Sequence, residues 1–91
     1  MTLTHLIRSP YPHKWTAVFD DGKRVSFGHA DYQDYTQSHD KERRRLYRIR
    51  HKKDLDTKDP RRAGFLSYEI LWGDSTDINT NLRNYKHKYS M

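Results

Sequence analysis

The sequence predicts a small α+β domain, an N-terminal β-hairpin followed by two or three helices. Three observations carry that prediction. Trp15, Ala17 and Phe19 alternate with Thr16 and Val18, the period of a half-buried strand. Asp21-Gly22 follows at once, a turn dipeptide suited to a type I′ hairpin, where both central residues need positive φ. Beyond residue 38 the apolar spacing changes to that of a helix, most clearly at Ile78, Leu82, Tyr85 and Tyr89. With 91 residues, the chain is sized for one domain, read here over residues 13–91.

Residues 1–12 read as an extended leader or contact arm. Pro10 and Pro12 flank Tyr11 and disfavour helix. The return strand of the hairpin carries Val25 and Phe27 and is closed by Gly28. The segment HADYQDYTQSHD is a polar connector. Thr36 or Ser38 is positioned to cap the next helix, and Asp40 suits its positive end. That helix runs to about His51 or Lys53. Glu42, Leu46, Ile49 and Lys53 share one stripe, with Arg44 and Arg48 nearly opposite. The spacing therefore predicts a narrow apolar seam facing the core and a wide cationic back. Pro60 marks a break. AGFLSYEILWG is dense enough in apolar residues for a short buried helix, a strand being the competing reading. Ser75 or Thr76 can cap the last helix.

Only 33% of the residues are hydrophobic, and another 33% are charged, so the core must be thin. Seven Tyr, three Phe and two Trp supply much of it, with Trp15, Phe19, Phe27, Phe65 and Trp72 as its expected members. There are no cysteines, which removes disulfides and thiol chemistry. No apolar run approaches the roughly 20 residues of a membrane span, so a soluble intracellular chain is expected. The histidines give no HxxxH or HExxH spacing, and no metal is expected. Asp20 and Asp21 are explained by the turn. Glu69 is expected to pair with Arg61 or Arg62 and fix its helix. No phosphate loop or nucleophile–base arrangement is present, so neither enzyme activity, a cofactor nor a small-molecule substrate is expected.

Charge is the strongest functional signal. Residues 41–53, KERRRLYRIRHKK, hold eight of the eighteen lysines and arginines and one acid, a formal +7 beside a remainder of −1. Concentrated charge of this kind attracts polyanions or acidic protein surfaces, although a solvated face would look the same. The candidate binding residues for a polyanion or acidic partner are Lys41, Arg44, Arg45, Arg48, Lys52 and Lys53. Candidate interface residues elsewhere are Tyr11, Tyr32, Tyr35, Arg83, Lys86 and Lys88, with Tyr85 as a further anchor. Asp31, Asp34, Asp40, Asp54, Asp56 and Asp59 surround the helix and limit how much duplex it would follow, which favours a protein partner over nucleic acid.

The ordered blocks VFDDGKRVSFG, DYQDYTQSHDKERRRLYRIRHKK, AGFLSYEILWG and NYKHKY together resemble a family of small basic proteins encoded by giant DNA viruses, the nucleocytoplasmic large DNA viruses of algae and protists. The likeness spans roughly residues 13–89, and its most specific parts are DYQDYT-x-x-x-DKERR, RHKK and AGF…ILW. Members often carry a second tryptophan in the last block, where this chain has Tyr68 and Glu69. The resemblance implies no catalytic residues. It implies a virion or minor capsid protein that docks to larger capsid or virion proteins, located in the particle and, during assembly, in the host cytoplasm or virus factory. The alternative is a DNA-binding protein that uses the helix over 41–53 in genome packaging or replication.

Overall fold

The computed structural model describes residues 2–91 and shows the α+β arrangement: a three-stranded antiparallel sheet followed by helices. Strands β1 (Leu3–Arg8), β2 (His13–Phe19) and β3 (Arg24–His29) lie in the order β1-β2-β3. The expected leader is therefore corrected in part, because most of it is a sheet strand. Leu6 pairs with Ala17 and Arg8 with Trp15, while the register slips by one residue between Leu3 and His5. That bulge drops Leu3 opposite Phe19, where it is fully buried. A six-residue strand with one buried anchor gives too weak an alternation to be read from sequence.

The β2–β3 hairpin is present, but its turn differs from the expected type I′. Gly22 has φ +89° whereas Asp21 does not enter the left-handed region. Gly22 N–H donates to the Phe19 carbonyl and Phe19 N–H to the Lys23 carbonyl. This is the longer hairpin loop in which one glycine takes the left-handed position. Asp21 is then free to accept from Arg61 Nη2 at 2.7 and 2.8 Å, clasping the hairpin tip to the loop before the third helix. Arg61 thus pairs with Asp21 rather than Glu69, while its guanidinium covers Phe19 at 4.6 Å.

Two helices share the region read as connector and basic helix. Helix α1 (Tyr35–Ser38) is one turn, capped by Asp34, whose carboxylate accepts from Thr36 N–H at 2.8 Å. His39, at φ +56°, ends it. Asp40 then caps α2 (Lys41–His51), accepting from Glu42 and Arg43 N–H groups at 3.0 and 3.1 Å. The caps are thus aspartates, not Thr36 or Ser38; a carboxylate suits the positive helix end better than a hydroxyl. A 3-10 helical turn (Lys52–Thr57) extends α2, and Lys58 closes it.

Helix α3 (Ala63–Leu66) runs into a π-helical turn (Ser67–Leu71), where Trp72 N–H reaches back to the Ser67 carbonyl at 3.1 Å. Helix α4 (Ile78–Lys88) is capped by Asp77, again an aspartate rather than Ser75 or Thr76. Phe65, Leu66, Ile70, Leu71, Trp72 and Tyr85 meet Ala17, Phe19 and Phe27 in one core, with Trp15 partly buried at its edge. Tyr85 O–H donates to the Pro60 carbonyl at 2.6 Å, and burial pushes its pKa far above the phenol range.

Candidate functional site

Helix α2 packs the opposite way round from the sequence expectation. Leu46 and Ile49, the expected seam, are 44% and 62% exposed, and α2 has no buried residue. Arg44, Tyr47, Arg48 and His51 face the body instead. Arg44 Nε donates to the Gly73 carbonyl and Nη2 to Asp74, each at 2.7 Å, with the guanidinium 5.5 Å over Tyr35. Arg48 Nη1 donates to the Trp72 carbonyl at 2.7 Å and lies 4.2 Å over Tyr68. The reason is local. The chain leaves helical geometry at Trp72 and Gly73, so their carbonyls need donors from outside their own helix. Two guanidinium groups supply these and stack on aromatic faces as well, which leucine and isoleucine cannot do. Arg44 and Arg48 are therefore structural ties, not a partner-facing row. Lys41, Arg45, Lys52 and Lys53 do lie on the surface as expected, Arg45 paired with Glu42.

The other candidates also divide. Tyr35 is buried and belongs to the core, as does Tyr85. Tyr11 is 71% exposed and donates to Asp31 at 2.7 Å, a bond that raises its pKa. Tyr32 is 67% exposed. Arg83 and Lys88 are exposed and Lys86 is half-buried. Glu69 sits 3.6 Å from Lys88, not beside Arg61 or Arg62.

Turning α2 this way opens a cleft of about 630 Å³ between the β3–α1 loop and α2. Its exposed rim carries His29, Tyr32, Arg43, Leu46 and Arg50, while its floor carries the buried Leu71 and Trp72. Three rings stack along one side. Tyr47 lies between Trp72, at 4.2 Å and 8° between planes, and His51, at 4.1 Å and 20°. The Tyr47 hydroxyl shares a hydrogen bond with Ser67 at 3.1 Å, and burial raises its pKa against the opposing effect of that bond. His51 Nδ1 lies 3.2 Å from Asp54, which holds the outermost ring in place.

Asp34 is the one carboxylate in the cleft, and Lys14 Nζ neutralises it at 2.8 Å. Among the described residues, Arg43 and Arg50 have no carboxylate within ion-pair distance. The cleft is therefore apolar and aromatic inside and cationic at its mouth. Sequence reasoning missed it, although the spacing Arg44-Tyr47-Arg48-His51 is itself a helical stripe.

The sequence profile of one protein family matches residues 5–51, just over half of the chain. The chain belongs to this family of unknown function, DUF5754. The family match starts in β1 and stops at the last residue of α2, so it includes both sides of the cleft and excludes its floor. No curated protein and no solved structure matches the chain. Among the described residues, no helix is long and apolar enough to cross a membrane.

Proposed function

We propose that the chain is a non-enzymatic docking component of a giant-virus particle, and that it meets larger virion proteins through the outward side of α2. The observation that carries this reading is the exposure of Leu46 and Ile49 on a helix that buries nothing. Around them stand Lys41, Arg43, Arg45 and Arg50, all exposed. An apolar centre ringed by arginine is the usual make-up of a protein interface. The partner that complements it has an apolar socket bordered by Asp and Glu. The resemblance to small giant-virus proteins supports the particle as the setting.

The alternative, nucleic acid lying along α2, has to do without Arg44 and Arg48, which are committed to the carbonyls of Trp72 and Gly73. The remaining exposed cations still supply phosphate contacts. Crosslinking mass spectrometry on intact particles separates the two readings. Docking expects Lys41, Lys52 and Lys53 linked to acidic segments of a shell protein. Links confined to genome-associated proteins would overturn it.

A further inference from the structure

We infer that the cleft between the β3–α1 loop and α2 is a binding site for an unpaired base of single-stranded nucleic acid. This goes beyond the docking reading and does not depend on it, since docking uses the outward side of the helix.

Three features converge. First, the space is of ligand size, about 630 Å³, and a nucleobase is a flat ring system that needs an aromatic surface more than a matched outline. Second, the aromatic surface is built. The Trp72–Tyr47–His51 stack ends on a histidine whose side chain is 40% exposed, so the outer end of the column is open. Tyr32 stands on the facing rim with 67% of its surface free. Third, the charge is right for phosphate. Arg43 and Arg50 share one rim of the cleft, seven residues and about 10 Å apart along the helix axis. Such a spacing gives two separated anion contacts on a strand rather than a single phosphate clamp.

A duplex does not fit this arrangement, because its bases are already stacked on one another and turned away from the protein. An acidic peptide with an aromatic side chain is the competing occupant, and the test includes it. Placing a base in the cleft takes it out of its own strand's stack, and the rings of the cleft replace that stacking.

The test reads tryptophan fluorescence in a Trp15→Phe background, which leaves Trp72 as the reporter. Titration with a short oligothymidylate is expected to change the emission, with an affinity that falls as salt rises. An abasic oligomer of equal length and charge, the same strand in a duplex, and a Glu-rich peptide containing tyrosine are each expected to bind at least about tenfold more weakly, the scale of one stacked base. Tyr32→Ala is exposed and leaves the fold intact, and is expected to weaken the oligothymidylate by a similar factor. Arg43→Gln and Arg50→Gln are each expected to lower the slope of log affinity against log salt by about 1. Ile49→Ser, on the docking side, is expected to leave the titration unchanged. Equal binding by the abasic strand or the duplex overturns the inference, as does tighter binding by the peptide. So does full retention of affinity in Tyr32→Ala.

Discussion

Helices α2 and α4 are both eleven residues long and both basic at their C-terminal ends, yet they are held by different means. Helix α4 inserts Asn81 and Tyr85 into the interior, and each is 1% exposed. Asn81 Nδ2 donates to the Ile70 and Ser75 carbonyls while its Oδ1 accepts from Ser75 N–H. Helix α2 buries no residue and is tied down at its surface by two guanidinium groups and a ring stack. In a chain with this few apolar residues, arginine takes over part of the work of a core. The consequence is functional as well as structural. A helix anchored by its cations on one side can leave leucine and isoleucine bare on the other.

The comparison breaks most readily at its buried end. Tyr85→Ala removes the anchor of α4 and is expected to destabilise by about 3–5 kcal/mol, as large aromatic truncations do. Trp72→Ala should cost a similar amount, about 3–5 kcal/mol, because it empties the core and the stack together. Chemical denaturation checks both. If Tyr85→Ala melts near the wild type, α4 is not the better-buried helix.

At the polar end the effect is smaller. Arg44→Gln and Arg48→Gln should each destabilise by about 1–2 kcal/mol, below the full worth of a charged hydrogen bond because both groups are part-exposed. A double substitution with unchanged melting would return these arginines to the surface row that their spacing first suggested.

Acid sharpens the same theme at the hairpin tip. The Lys23 N–H, and then Arg61, hold the Asp21 carboxyl below its ordinary value. A carboxyl with a lower pKa in the folded state stabilises fully above its unfolded value, and the benefit is lost as pH falls through the folded one. Wild type should therefore out-melt Asp21→Asn at pH 6, with the gap closing below about pH 4. A gap that widens in acid would mean that the Arg61 clasp works without charge.

The smallest expected change is at Ile49. Ile49→Ser should alter stability by less than about 0.5 kcal/mol, because nothing packs on that side chain. It should nonetheless abolish association with a shell protein if α2 docks as proposed.

Strand periodicity around Trp15 and helical spacing at Ile78, Leu82, Tyr85 and Tyr89 made the sheet and α4 legible, since those residues do face the core. Two things were not. Leu3 reaches the core through a bulge, and a one-residue slip erases the alternation that would reveal the strand. The orientation of α2 depends on which carbonyls lack partners thirty residues away, information that no local pattern contains. Hydrophobicity alone ranks Leu46 and Ile49 above Arg44 and Arg48 as inward residues, and here that ranking fails. The cleft was hidden for the same reason, because it exists only once α2 is turned.

The π-helical turn at Ser67–Leu71 sets a limit on how this chain can change in length. Such a turn behaves as one extra residue wound into an α-helix. Deleting any one of the five would let the segment relax to ordinary α geometry and shift the phase of everything after it by about 100°. Phe65 and Leu66 would keep their places while Trp72 swung off Tyr47, or the reverse. The spare residue is what lets one short helix serve two neighbours that are out of step, and a shortened chain would have to give up one of them.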